Sequence, residues 1–361
     1  MSYRGNTGIY PHSRVDWSMP LAPLYGHEGL QDRLSGASAS GRLPQALLFE
    51  GPRSVGKQRL ALWLAQLLLC RHTKDGDPCG KCQDCRLALT LQHPDVHWFV
   101  PIEPSKKGAD ADKQVDLVAE ALAEEMAARR AQPLYQPPSG LAAYSIAAVR
   151  LLLRRVSLTP ALGRWKVFIV GDAERLIAQQ GAEAAANALL KVLEEPPADT
   201  VFVLTAADPG ALLPTILSRV VRVRVARLND SVVTDFAQHV LGVKTKDELA
   251  QRVSAAEGCI GRLLAADGET ASRGRQLADQ LLGGGGYGFA LAQMPFQARG
   301  GFTEMLDALA GRLRAEARRG GEMQKLVEAI ACVMDAREMA QGNVNPQLLS
   351  AVLAEDLATA S

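Results

Sequence analysis

Residues 45–58 read QALLFEGPRSVGKQ: a compact apolar run closed by Gly51, a loop ending in Gly56-Lys57, and then the long apolar, helix-periodic segment Arg59–Cys70. Strand, glycine loop and helix in that order open an α/β domain. Every fixed position of the phosphate-loop template GxxxxGK[ST] is met from Gly51 to Lys57, and only the last is not, because Gln58 stands there. Glycines at 51 and 56 allow backbone N–H groups to turn inward on a phosphate. The helix N-terminus adds its dipole, and Lys57 supplies a point charge. Gln58 replaces the hydroxyl that would ligate Mg²⁺, and its bulkier amide is a poorer ligand for that ion.

Downstream, Val96–Val100, Lys166–Val170 (KVFIV) and Thr200–Thr205 (TVFVLT) are β-branched runs of strand length separated by helical patterns. That alternation predicts a parallel sheet. KVFIV runs into Gly171 and Asp172, and Asp172 is the candidate for holding Mg²⁺ through water. The following position, where a hydrolysing enzyme needs a glutamate to polarise water, is Ala173. Glu174 comes one residue late and is turned elsewhere. Phosphoryl transfer rests on positioning and charge stabilisation, so losing both the metal hydroxyl and the water-orienting carboxylate removes orders of magnitude in rate. Three readings of the loop stay open: a retained scaffold, nucleotide binding without turnover, and hydrolysis.

The segment 101–145 reads as a helical insertion at a sheet edge, with a charged, alanine-rich helix at Gln114–Arg130 expected to be solvated and a loop at Pro133–Gly140. Beyond Arg227 strand signals fade into short helices, and a helical region from Ala271 is broken by the loop Gly283–Gly286. The expected division is 1–226, an α/β domain; 227–270, a small helical lid; and 271–361, a helical C-terminal region.

With 361 residues and 47% hydrophobic content, the chain can bury more than one core, which excludes a disordered tail. A net charge of +1 excludes a nonspecific polycation, so any nucleic-acid contact must be local. Aromatics at 5% argue against a base-stacking platform. Apolar runs are too short to span a membrane, and Met1–Pro20 lacks the apolar core of a signal peptide, so a cytoplasmic location is expected. Cys70, Cys79, Cys82 and Cys85 form C-x8-C-x2-C-x2-C, whereas Cys259 and Cys332 lie far apart. Four thiolates complete a tetrahedral shell with no open position, which predicts a structural Zn²⁺ and leaves His72, His93 and His97 out of it. Arg71, Lys74, Lys81 and Arg86 would offset the site's negative charge.

Glu183–Glu195 is a helix by composition, ended by Pro196-Pro197, and is followed by TVFVLT and then Ser218-Arg219-Val220. The runs NALLKVLEEPP (187–197) and LLPTILSR (212–219), together with GRLPQALLFEGPRSVGK (41–57) and the four-cysteine insertion, resemble the bacterial clamp-loader family of AAA+ proteins over roughly residues 20–226. That resemblance implies an AAA+ domain with zinc module, a helical lid, and a C-terminal collar that oligomerises. Within the family, Gln58 and Ala173 favour the delta prime type, whose nucleotide site is degraded, over the hydrolysing motor. Val220 departs from the cysteine of the family's Ser-Arg-Cys element but leaves Ser218 and Arg219 intact. The resemblance implies that Arg219 reaches across a subunit interface to the γ-phosphate of a neighbour's ATP. It also makes Thr205 and Arg262 (in EGCIGRLL, 257–264) phosphate-sensing positions, structural here if the site is degraded. The implied partners are gamma/tau motor and delta subunits in a hetero-pentamer, a sliding clamp and primed DNA, with no hydrolysis by the chain itself. The alternative is a motor subunit or another active AAA+ ATPase. In VVRVRV (220–225), Arg222 and Arg224 read as one solvated basic face of a strand.

Overall fold

A computed structural model describes residues 21, 24–102, 110–132, 143–176, 182–265, 269–283, 299–320, 322–340 and 345–360. The N-terminal arm 1–20, the expected loop at 133–140 and positions 284–286 of the glycine run lie outside the described residues. Two compact units emerge: one holds the described residues up to Lys244 together with Gly258–Gly261, and the other holds Thr245–Glu257 and those from Arg262 onward.

The first unit is built on five strands, β1 (Ala46–Glu50), β2 (Val96–Phe99), β3 (Lys166–Val170), β4 (Thr200–Ala206) and β5 (Val221–Arg224). They are all parallel, in the order β2-β3-β4-β1-β5. Parallel strands need crossovers, and here helices supply them: α1 (Glu28–Ala39), α2 (Lys57–Leu69), α3 (Gln83–Leu89), α4 (Ala111–Ala131), α5 (Ile146–Val156), α6 (Ala182–Glu194) and the short α7 (Pro214–Leu217). Strands β3 and β4 are buried along their whole length, as expected of a sheet covered on both faces. Helix α2 is buried nearly all round, and its Gln66 amide is satisfied by the Cys85 carbonyl at 3.2 Å.

One expectation changes. Helix α4 is not simply solvated: Val115, Val118 and Leu122 enter the core of the first unit, α4 packs on α5, and Arg129 lies over the Trp98 ring at 4.7 Å. A stripe of three apolar residues at helical spacing suffices for burial even where charges dominate the composition. Strand β5 exposes Arg222 and Arg224, as expected of a solvated basic face, while its valine side is only partly covered. Its position at the sheet edge leaves Val221 50% exposed, and Arg222 pairs with Glu50 at 2.7 Å.

Helix α8 (Asp230–His239) closes the first unit's helical part, with Phe236 edge-on to Tyr25. The second unit contains α9 (Lys246–Ala256), most of α10 (Ile260–Ala265), α11 (Glu269–Leu282), α12 (Arg299–Arg318), α13 (Met323–Met339) and α14 (Pro346–Ala360). Its core joins Leu277, Phe302, Leu306, Leu313, Val333 and Leu353. Met323, Val327, Leu348 and Val352 stay exposed on α13 and α14.

Candidate functional site

Because every strand runs the same way, the C-terminal strand ends share one edge, and the glycine loop leaves β1 there. Gly56 is left-handed at φ 105°, a conformation that a side chain would strain, and it starts α2. Lys57 is buried, with Nζ donating to the carbonyls of Gly51 and Pro52 at 2.8 Å each. Burial lowers its pKa, with Asp172 and Glu174 pulling in the opposite direction. The loop is further braced by the His27 ring, whose Nε2 lies 2.9 Å from the Val55 carbonyl. Gly261 N–H donates to Ser54 O at 2.9 Å.

Gln58 meets the end of β3. A Cβ placed on Gly171 would come within 2.7 Å of the Gln58 Nε2 and 2.9 Å of its Cδ. The amide therefore occupies the space that a side chain at 171 would need, at the strand end next to the candidate Mg²⁺ position. Asp172 follows in a left-handed conformation, φ 48°, and its N–H donates to Thr205 Oγ1 at 3.1 Å. Thr205, fully buried at the end of β4, thus braces the Asp172 backbone. Ala173 is buried in the core. Glu174 turns toward β4, where its Oε1 accepts from Ala207 N–H at 3.1 Å. Its Oε2 is buried without a hydrogen-bond partner. Burial, reinforced by Asp172, raises the Glu174 pKa.

Sequence reasoning missed Gly171 and Tyr144. The Tyr144 hydroxyl sits 3.0 Å from the Phe99 carbonyl and 2.6 Å from that of Gly171, tying together the ends of β2 and β3 through its one proton. Nothing in the local pattern marks it, since its two acceptors are set by strand packing.

Arg219 and Ser218 stand apart from this loop in the sequence, directly after α7. Arg219 Nη1 donates to Thr215 O at 2.9 Å and Ser218 Oγ at 3.3 Å, while Nη2 donates to Glu194 Oε1 at 3.0 Å. Ser218 Oγ in turn donates to Thr215 O at 3.1 Å. Arg262 lies in the second unit, where its Nη1 donates to Glu257 Oε2 at 2.5 Å, and Arg318 Nη2 donates to the other Glu257 oxygen at 2.8 Å.

Cys70, Cys79, Cys82 and Cys85 bring four Sγ atoms within 4.8 Å of one another. A tetrahedral Zn–S₄ centre needs S···S separations of about 3.8 Å, and the Cys79–Cys85 pair is at 4.0 Å. The donor set therefore fits zinc once the sulfurs draw together, the nearest of these by a few tenths of an ångström and the widest by up to about 1 Å. Backbone N–H groups already point at sulfur: Cys79 N donates to Cys70 Sγ at 3.2 Å, Cys82 N to Cys79 Sγ and Cys85 N to Cys82 Sγ at 3.4 Å each. The Lys81 N–H is the first cause lowering Cys79 to a pKa of about 6, whereas burial raises Cys70 and Cys85. His93 faces Asp84 at 3.4 Å and not the thiols, and His97 packs on Phe168. Arg71, one of the expected charge-offsetting residues, pairs with Asp84 at 3.1 Å.

The pattern of a protein family described as DNA polymerase III, delta subunit, matches residues 26–229. DNA polymerase III subunit tau/gamma of Haemophilus influenzae is 28% identical over 267 residues, covering 73% of this chain and 32% of that protein. DNA polymerase III subunit delta' of Pseudomonas aeruginosa is 34% identical over 177 residues, 49% of this chain and 42% of that protein. The chain thus spans about a third of the first of these relatives and under half of the second. A solved DNA polymerase III gamma subunit-related protein from Thermotoga maritima aligns over 92% of this chain and 99% of its own, at 18% identity and a TM-score of 0.46. Among the described residues no helix is long and apolar enough to cross a membrane.

Proposed function

Since this chain belongs to the DNA polymerase III delta-subunit family, we propose that it is the delta prime type of clamp-loader subunit, a non-hydrolysing AAA+ member that lends Arg219 to a neighbouring ATPase. The observation that carries the reading is the Gln58 amide seated against Gly171. The loop hydroxyl is absent, and an amide fills the space beside it at the strand end, next to Asp172. Glu174 supports the same reading, because its carboxylate is spent on the Ala207 N–H at the end of β4.

In this reading, residues 1–226 form the AAA+ domain, 227–270 the lid and 271–361 a collar, whose exposed Met323, Val327, Leu348 and Val352 suit burial against other subunits. Its partners are gamma/tau motor and delta subunits in a hetero-pentamer that opens a sliding clamp and closes it on primed DNA in the cytoplasm. A guanidinium supplied in trans neutralises developing phosphoryl charge and is worth about 10³–10⁵ in rate at such sites. Arg219→Ala should leave assembly intact and slow hydrolysis by the complete loader at least about 10-fold; unchanged hydrolysis would remove the trans role.

A second reading is favoured by the similarity to tau/gamma proteins: a motor subunit that hydrolyses ATP itself. Steady ATP turnover by the purified chain alone, abolished by Lys57→Ala, would select it.

A further inference from the structure

Helix α6 ends at Glu194, and Pro196-Pro197 prevent its continuation. Buried Leu189 and Leu193 anchor the helix, so the Glu194 backbone is fixed by the core while its side chain remains 56% exposed. Arg219 comes from a different element, the turn after the four-residue α7. Its planar fork is nevertheless held from two sides. Both Nη1 protons are used, by Thr215 O and Ser218 Oγ, and one Nη2 proton is used by Glu194. Nε is buried without an acceptor, so the carboxylate grips one corner of the guanidinium and not its edge in bidentate fashion. That leaves the second Nη2 proton for an incoming oxygen.

We infer that Glu194 is a positioning residue for Arg219, holding the guanidinium at the end of α6 so that its remaining Nη2 proton meets the neighbouring subunit's phosphate. The inference rests on the trans role proposed above. Thr215 and Ser218 belong to the same short turn as Arg219 and move with it. Glu194 belongs to α6, which the core anchors, and so ties the fork to a rigid part of the domain. Without this contact a long, rotamer-rich side chain must be ordered at the moment of reaction. An exposed pair of this kind is weak enough for a phosphate to compete with it. The effect therefore falls on how often the fork is correctly placed.

The test uses the loader reconstituted from this chain and its motor and clamp-opening partners, assayed for clamp- and DNA-stimulated hydrolysis of Mg·ATP. Glu194→Ala should lower kcat about fivefold, in line with a weak exposed pair, with KM for ATP, ring assembly and melting temperature unchanged. Glu194→Gln, whose amide oxygen can accept at the same place, should restore most of the rate. In an Arg219→Ala background, Glu194→Ala should change nothing further. Full activity of Glu194→Ala beside a slow Arg219→Ala would reduce the pair to a surface contact and overturn this inference alone. A loss that persists in the Arg219→Ala background, or a faster loader, would overturn it too. If Arg219→Ala itself has no effect, the trans reading fails first.

Discussion

At the scale of single residues, the central fact is that Gln58 and Gly171 are complementary. Gly171 is not in a left-handed conformation, so its backbone would accept a side chain; what such a side chain meets is the Gln58 amide, 2.7 Å from the Cβ position, which must swing aside. Gly171→Asp alone should therefore displace the Gln58 amide and cost about 1 kcal/mol, the low end of an overpacking penalty. Gln58→Thr alone should open a small void and restore the loop hydroxyl, with Asp172 still the carboxylate at that strand end. Together they should be less destabilising than the sum, with a coupling of roughly 1 kcal/mol or more, and the double variant should gain affinity for Mg·ATP. Denaturant melts of the four proteins and nucleotide titration would check this; additive losses would mean that the two positions do not share space. Of this pair, Gln58 was legible in the sequence as a mismatch to a motif. Gly171 was not, because a glycine after a strand is ordinary until a residue 113 positions away is seen to lean on it.

Among the elements, the four-cysteine module is tied to its neighbours from several sides. Ser35 on α1 donates to Gly76 O at 2.6 Å, Gln66 on α2 holds the Cys85 carbonyl, and Arg71 and His93 meet at Asp84. Asp95 continues the chain of contacts, accepting N–H groups from Ala161, Leu162 and Gly163 at 2.5–2.8 Å. These three hydrogen bonds outweigh burial and lower the Asp95 pKa. Zinc would cross-link the end of α2 to α3, with chemistry limited to holding thiolates. The purified chain should carry about one zinc per molecule. Stripping it with a chelator should cost about 3 kcal/mol, roughly 6–12 °C of melting temperature for a domain of this size. A metal-free chain with an unchanged melting temperature would show that the contacts around Asp84 and Asp95 hold the module without it. The cysteine spacing announced the ligands because chelation is a local constraint. The burial of α4 was hidden, since three apolar residues among many charges carry little weight until α5 is packed beside them.

For the molecule as a whole, a net charge of +1 on 361 residues sets how it can meet DNA. With no bulk positive field, counterion release contributes little to the isolated chain. The chain alone should bind primed duplex no more tightly than the nonspecific range of about 10⁻⁴–10⁻⁶ M at physiological salt. The loader proposed above should bind far better once assembled, and nanomolar binding by the lone chain would contradict this. The molecule divides into two units, one around the parallel sheet that also takes in α8, and one all-helical.

What could be read directly from the order of residues was whatever depends on near neighbours. This covers the strand, glycine loop and helix at 45–70, the thiol spacing at 70–85, and the proline-terminated helix followed by Ser218-Arg219. Periodicity, chelation and chain stiffness act over a few residues and leave their mark in the sequence. Packing alone joined Gln58 to Gly171, Tyr144 to two strand ends and Glu194 to Arg219. These contacts are fixed by how helices cover the sheet, and a short-range pattern carries no record of which distant side chain will fill a given space.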